Sequence, residues 1–170
     1  MHARGLTASL ALLLILACGG RDQGSEADEP AAAPGSMAMS RPPATAKPVI
    51  QVWKDPNCGC CTSWIERLRA AGYPVEVMDV ADIDAIKGSK GIPAHLASCH
   101  TALVDGYLVE GHVPVAVIDR ILAERPEVAG VAVPGMPMGS EGMEMPGGQS
   151  EHYDVIAFKA NGESSVYEKR

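Results

Sequence analysis

The sequence has few aromatic residues and no excess of positive charge. It contains one Phe, two Trp and four Tyr, which leaves few side chains on which nucleic-acid bases could stack. The formal net charge is −7, and the Lys and Arg residues form no basic stripe that would attract phosphate groups. We therefore predict that the protein does not bind nucleic acid.

The sequence also lacks a long apolar run. Residues 6–16 are apolar, but this stretch is too short to span a bilayer well. It follows Arg4 and precedes the small residue Ala17, which is the arrangement of a secretory signal. We predict that residues 1–17 are such a signal and that the protein is exported to the periplasm, where disulfides can form.

A cysteine follows this signal directly. The order Ile15-Leu16-Ala17-Cys18 resembles the lipobox of bacterial lipoproteins, in which the cysteine becomes the lipidated first residue. The resemblance implies that Cys18 carries the lipid and that the protein contacts a membrane only through this anchor. The residue after Cys18 is Gly19 and not an aspartate. By the sorting rule of enteric bacteria, the absence of an aspartate at this position implies that the protein is anchored to the outer membrane. The alternative is an ordinary signal that is cleaved nearby, with Cys18 incidental.

Two segments follow the signal. Residues 18–48 are dominated by Gly, Ala, Pro, Ser and acidic residues and keep no apolar period, so we predict a disordered tether. Residues 49–170 are enough for one folded domain.

The domain begins with a strand, a helix and a second strand. Apolar residues predict strands at 49–53 and 75–80, and residues 61–71 between them have one apolar face. A connection this short predicts parallel strands joined by a right-handed crossover. The later predicted elements are a weak helix at 81–87 with a loop at 88–91, a hairpin of 101–104 and 107–110, a helix at 115–124, a loop at 130–148 and a hairpin of 155–158 and 164–167. This order predicts an α/β, thioredoxin-like fold with a mixed central sheet, flanking helices and a C-terminal hairpin.

Three cysteines, Cys58, Cys60 and Cys61, lie where the first strand gives way to the first helix, and Cys99 precedes the first hairpin. The unpaired N–H groups and the positive dipole end of a helix start favour thiolate. In the predicted fold the first strand-to-helix loop lies beside the chain that enters the hairpin. We therefore predict that the four sulfurs converge on one soft-metal site.

The chemistry of this cluster leaves several interpretations open. One is a Cu(I) thiolate site, because Cu(I) is soft and accepts two or three sulfurs. Adjacent side chains such as Cys60 and Cys61 diverge by roughly 100° at a helix start, so they bridge two ions more easily than they bind one. This interpretation predicts a small multinuclear Cu(I) cluster.

Three other interpretations use the same cysteines. Cys58 and Cys61 form the C-x-x-C frame of a thiol–disulfide exchanger, although Cys60 would trap mixed disulfides. A structural Zn²⁺ site, or an Fe–S cluster as its variant, would have irregular ligand spacing. Two disulfides would staple the domain, but they would close very small loops that restrict the unfolded chain little.

Other donors flank the cysteines. His100 follows Cys99 and is either an additional metal contact or a histidine bonded to backbone. The late methionines are either a thioether lid over the cluster or apolar filler; they are Met136, Met138, Met143 and Met145. The remaining histidines of the domain, His95, His112 and His152, are predicted to be surface or loop residues.

Four segments together resemble the CopG-like periplasmic metal-binding proteins found in copper-resistance loci. They are residues 53–61 with Cys58-Gly59-Cys60-Cys61, Ser98-Cys99-His100-Thr101-Ala102, Glu110-Gly111-His112-Val113-Pro114, and residues 132–140. The resemblance implies a thioredoxin-like fold, copper ions as the bound species and the four cysteines as their ligands. It implies a copper-binding protein, with other periplasmic copper-handling proteins as partners; a thiol or copper oxidoreductase is the alternative.

Overall fold

The computed structural model of the chain describes residues 46–170. The signal predicted at residues 1–17, Cys18 and all but the last residues of the predicted tether lie outside the described residues. In the part that is described, no helix combines the length and the apolar character needed to cross a membrane.

Seven strands and three α-helices make up the fold. In chain order they are β1 (Ile50–Lys54), α1 (Gly59–Ala70), β2 (Val75–Asp79), α2 (Ile83–Lys90), a 3₁₀ turn (Ala94–Leu96), β3 (His100–Val104), β4 (Tyr107–Glu110), α3 (Val115–Glu124), β5 (Gly130–Ala132), β6 (Asp154–Phe158) and β7 (Ser164–Lys169). The strands form one sheet in the order β2-β1-β3-β4-β5-β6-β7. The β1–β2 and β4–β5 pairs are parallel, and the other four are antiparallel. The predicted α/β class, mixed sheet, flanking helices and closing hairpin β6–β7 are confirmed; the thioredoxin-like assignment stays a prediction.

The main core lies on one face of the sheet, under α1 and α3. Their apolar faces bury Trp64, Ile65, Leu68, Val117, Ile118 and Ile121. These side chains pack in one cluster with alternate strand residues such as Val52 and Ala102, as the two-residue period of a strand requires. Each fully buried side chain of this size contributes about 2 kcal/mol, so the core fixes α1, and with it the first cysteines, against β1 and β3.

The opposite face carries α2 and a smaller apolar cluster. This second cluster contains Ile92, Leu96, Ala132 and Phe158. Lys90 of α2 lies 3.5 Å from the centroid of the Trp53 ring, and Trp53 alternates along β1 with residues of the main core. The two faces of the sheet therefore support the cysteine segments from both sides.

Two predicted segments differ from the structure. The loop predicted at 88–91 is wrong, because α2 runs through Gly88 to Lys90 and ends where Gly91 takes φ +74°. The start of α2 is delayed by Asp82, whose side chain accepts a hydrogen bond from the Ala85 N–H at 2.9 Å. The loop predicted at 130–148 is wrong at its start, where β5 lies buried between β4 and β6. The sequence did not predict β5 because its three residues are too few to show the two-residue alternation of a strand.

Candidate metal centre

The pairing of β1 with β3 brings the four cysteines together. Lys54, the last residue of β1, lies opposite His100, the first residue of β3. The loop that leaves β1 and the residue that precedes β3 therefore share one end of the sheet. At this end the Sγ atoms of Cys58, Cys60, Cys61 and Cys99 all lie within 4.8 Å of one another. The structure thus places the four sulfurs together; their role as metal ligands stays a prediction.

Two of the four cysteines are joined. Cys58 and Cys61 form a disulfide, and within residues 46–170 Cys60 and Cys99 are the cysteines that remain as thiols. Cys58 is the N-cap of α1, since its Sγ accepts a hydrogen bond from the Cys61 N–H at 3.3 Å. Cys61 is fully buried, whereas Cys58 and Cys60 are half-buried. The free thiol of Cys60 lies 3.5 Å from the Cys58 sulfur, so this thiol and the disulfide are in direct contact.

The Cys99 thiol is protonated at neutral pH. Burial, followed by the neighbouring Cys60, raises the pKa of Cys99 to about 12. Cys99 lies before β3 rather than at a helix start, so the helix-dipole effect expected for the other three cysteines does not act on it. A metal ion that binds Cys99 must therefore displace a proton.

Two histidines flank the Cys99 sulfur. Its Sγ lies 3.3 Å from Nδ1 of His100 and 3.1 Å from Nε2 of His112. Both rings are fully buried, and His100 lies between Trp64, at 4.3 Å between ring centroids, and His112, at 5.1 Å. Burial lowers the pKa of His112, and it lowers that of His100 well below the ordinary value, with smaller contributions from His112 and Lys87. Both imidazoles are therefore neutral at pH 7 and have a lone pair for a metal.

His112 is a functional candidate that sequence reasoning missed. It was predicted to be a surface or loop residue; it does lie in the loop between β4 and α3, but it is fully buried there, whereas His95 and His152 are exposed. The sequence offers little indication that His112 is buried, because this residue lies in a turn after β4, where the pattern of apolar residues has ended. Gly111, at φ +71°, allows this turn, and a Cβ at Gly111 would lie 2.6 Å from the Val133 carbonyl oxygen.

The methionine-bearing segment, residues 136–148, is held against the rest of the domain by contacts of Glu141 and Gly142. The Glu141 carbonyl oxygen accepts a hydrogen bond from His112 Nδ1 at 2.8 Å, and the Glu141 carboxylate accepts one from the Val115 N–H at 3.1 Å. Gly142 lies so close to α1 that a Cβ at this residue would be 2.6 Å from the backbone nitrogen of Trp64. Met136, Met138 and Met145 are exposed by 55%, 44% and 41%, and Met143 is half-buried. Met136, Met138 and Met145 are therefore not packed as core filler, and a lid over the cluster stays a prediction.

A shallow depression opens from Cys99 to the surface. It has a volume of about 270 Å³ and is lined by Ala97, Ser98, Cys99, Gly135 and Met136. The predicted lid residue Met136 thus shares a wall with the Cys99 thiol. The depression gives an ion from solvent a path to a sulfur that is otherwise buried.

A buried ion pair supports the Cys99 segment from the α2 face. Lys87 Nζ lies 2.6 Å from Glu110 Oε1, with the two side chains 6% and 0% exposed. The same carboxylate accepts hydrogen bonds from the Ser98 N–H and the Thr101 hydroxyl, both at 2.6 Å. Both carboxylate oxygens of Glu110 therefore accept hydrogen bonds, and one of these bonds fixes the residue before Cys99.

Lys54 supports the loop before Cys58 in a similar way. Its side chain is 7% exposed and pairs with Asp79 at 2.9 Å. Its ammonium also donates to the carbonyl oxygens of Asp55 at 3.0 Å and Pro56 at 3.4 Å. Both cysteine segments are thus held by buried lysine networks.

Comparison with solved structures finds two close relatives. They are described as "Copper resistance protein copG", Form 1 and Form 2, and are 45% and 44% identical to this chain. Each match covers 73% of this chain and 98% of the other, with a TM-score of 0.69.

Two further comparisons, with a protein-family model and with the curated proteins, do not identify a function. The model "Protein of unknown function, DUF411" matches residues 96–143, a stretch that includes Cys99 and His112. A search of the curated proteins finds no match.

Proposed function

Because this chain belongs to the family of CopG copper resistance proteins, we propose that it binds Cu(I) through Cys58, Cys60, Cys61 and Cys99 as part of copper resistance. The bound form is a small multinuclear thiolate cluster. Copper is the cargo of the protein rather than a resident cofactor.

The observation that supports Cu(I) is the separation of the four sulfurs, which lie within 4.8 Å of one another. Thiolates are the soft ligands that Cu(I) prefers. Adjacent Cys60 and Cys61 point in different directions from the first turn of α1, so each thiolate bridges ions instead of closing on one. Several monovalent ions also neutralise four thiolates better than one ion does.

The copper-holding state is the reduced state. Cys58 and Cys61 are joined as a disulfide, and an external dithiol must supply two electrons and two protons to open it. Each cysteine then gives up its proton as copper binds. His100, Met136, Met138, Met143 and Met145 are additional contacts, with Met136 at the solvent side of the Cys99 depression.

The protein acts outside the cytoplasm in this proposal. The signal at residues 1–17 directs export, and lipid on Cys18 anchors the protein to the outer membrane. The tether then gives the folded part access to other periplasmic copper-handling proteins, which are the proposed partners.

An anaerobic Cu(I) titration tests this function. The full chain is reduced with a phosphine, freed of it, and titrated with Cu(I) against a chelator of known affinity, beside a count of free thiols. We expect more than one Cu(I) per chain, and loss of the multinuclear form in Cys60→Ser, because that variant lacks a bridging sulfur. Uptake of a single Cu(I), or an unchanged stoichiometry in Cys60→Ser, would contradict the cluster. Stoichiometric Zn in protein purified reduced without added copper would favour a zinc site.

A second candidate function is supported by the Cys58–Cys61 disulfide. In a thiol exchanger, the half-buried Cys58 thiolate attacks a substrate disulfide and releases one substrate thiolate. The buried Cys61 then attacks the Cys58 sulfur, which closes the protein disulfide and releases the second thiolate. The protons given up by Cys58 and Cys61 pass to the two released thiolates, which leave as thiols. In a copper oxidoreductase, two Cu(II) ions instead accept one electron each from the pair, which yields two Cu(I), the disulfide and two protons.

Insulin reduction separates exchange from binding. Under the binding proposal, the chain with dithiothreitol reduces insulin no faster than dithiothreitol alone. An exchanger accelerates the reaction, loses it in Cys58→Ser, and keeps it in Cys60→Ser, since the C-x-x-C frame remains intact. That second pattern would replace the binding proposal with the enzyme.

A further inference from the structure

We propose that Cys99, His100 and His112 form a second metal site, which binds a divalent ion such as Cu(II) while Cys58 and Cys61 are joined as a disulfide. This inference builds on the proposed copper role and assigns a ligand set for the oxidised protein. It differs from the four-cysteine site in donor chemistry, because two of its three ligands are imidazole nitrogens.

The geometry of the three donors suits a single ion. Sγ of Cys99 lies 3.3 Å from Nδ1 of His100 and 3.1 Å from Nε2 of His112, and all three donor atoms lie within 4.8 Å of one another. A tetrahedral ion with bonds of about 2.3 Å to sulfur and 2.0 Å to nitrogen holds such atoms roughly 3.5 Å apart. An outward shift of a few tenths of an ångström would admit the ion.

The disulfide state makes this set the better one for a divalent ion. With Cys58 and Cys61 joined, the four-cysteine cluster retains only two thiols, too few for a multinuclear thiolate site. One thiolate and two imidazoles remain available at Cys99. Imidazole ligands suit Cu(II), and two histidines with one cysteine form a known trigonal copper donor set.

His112 is held as a metal-ligating histidine usually is. His112 Nδ1 lies 2.8 Å from the Glu141 carbonyl oxygen, an acceptor, so the proton sits on Nδ1 and the Nε2 lone pair faces Cys99. His100 is fully buried, and its Nε2 has no hydrogen-bond partner among the described residues. The His100 nitrogen that faces Cys99 is Nδ1, so His100 would offer Nδ1 to the ion while its Nε2 keeps the proton.

Solvent reaches the site through one side. The depression lined by Ser98, Cys99 and Met136 reaches the half-buried Cys99, while both rings are buried. An ion can therefore bind without opening of the core, and it keeps a coordination position that faces the depression.

Co(II) titration of the disulfide form tests the proposal. Co(II) is the probe because it does not take an electron from the thiols. The full chain carrying Cys60→Ser, with the Cys58–Cys61 disulfide confirmed by thiol counting, is titrated anaerobically. We expect one Co(II) per chain with a sulfur-to-cobalt charge-transfer band. One equivalent of Cu(II) should then displace Co(II), because Cu(II) binds such ligands more tightly.

Variants in this background assign the ligands. Cys99→Ser should abolish the band, which also controls for Cys18. His112→Gln should weaken Co(II) binding at least about tenfold, whereas the exposed control His152→Gln should leave it unchanged. A band that survives Cys99→Ser, or full affinity in His112→Gln, would overturn the proposal, as would the absence of stoichiometric binding.

A measurement on the unaltered ligands guards against a variant that does not fold. In the same Cys60→Ser chain, Zn(II) should shift the ¹⁵N resonances of the His100 and His112 rings and leave that of His152 in place; unshifted rings would reject the site. The outcome is independent of the Cu(I) titration of the reduced chain. Failure of one experiment is therefore distinguishable from failure of the other.

Discussion

Replacement of Cys99 by serine is expected to lower the Cu(I) affinity of the reduced chain on the order of 100-fold or more. Cys99 is the sulfur that comes from a different segment, before β3, and its Sγ lies within 4.8 Å of the other three. Without it, only cysteines of one short loop and helix turn remain, and adjacent Cys60 and Cys61 cannot close the cluster by themselves. Competition with a Cu(I) chelator measures the effect.

Cys18→Ser is the matched control for this experiment. It makes the same chemical change at a cysteine outside the proposed ligand set, and it should leave Cu(I) affinity and stoichiometry unchanged. Equal losses in Cys18→Ser and Cys99→Ser, or unchanged binding in Cys99→Ser, would show that the four sulfurs do not act as one site.

Glu110→Ala is expected to destabilise the metal-free protein by about 3–5 kcal/mol. The variant leaves Lys87 as a buried charge without its partner, and it removes the acceptor of the Ser98 N–H and the Thr101 hydroxyl. Because Ser98 precedes Cys99, the Cu(I) affinity should fall as well. Urea unfolding measures the stability, and the chelator competition measures the affinity.

Two further variants make this prediction specific. The double variant Lys87→Met/Glu110→Leu removes both charges and should regain the part of the lost stability that comes from the unpaired Lys87 charge, but not the part from the donors of Ser98 and Thr101. Glu163→Ala breaks the exposed Lys159–Glu163 pair and should change stability little. A Glu110→Ala variant as stable as Glu163→Ala would refute the structural role of the buried pair.

The placement of the first three cysteines was predictable because strong local signals surround them. An apolar strand, an amphipathic helix and Gly72 at the helix end determine β1 and α1, and the observed helix differs from the predicted one by two residues at its start. The approach of Cys99 followed from topology, since a hairpin beside β1 brings its first residue to the end of that strand.

The supporting groups of the site could not be predicted in the same way. Glu110 and Lys87 are 23 residues apart, and neither interrupts its local pattern in a way that identifies the other. His112 lies in a turn, where periodicity carries no information, and its burial depends on the docking of the segment around Glu141 and Gly142. Such contacts arise from tertiary packing, so only the folded structure reveals them.

The disulfide between Cys58 and Cys61 was one of several open pairings in the sequence. Four cysteines allow three sets of two disulfides, and spacing alone does not choose between a metal-bound and an oxidised state. The scheme with two disulfides does not hold for the described residues, because Cys60 and Cys99 remain thiols. Redox state therefore selects which donors are free to bind metal.

X-ray absorption spectroscopy at the copper edge of the reduced, Cu(I)-loaded full chain tests most directly whether the four sulfurs hold copper together. The account predicts a first shell dominated by sulfur, with additional scattering from neighbouring copper ions, and loss of the copper–copper contribution in Cys99→Ser. A first shell of nitrogen or oxygen, or a sulfur shell without neighbouring copper in the wild-type chain, would contradict it.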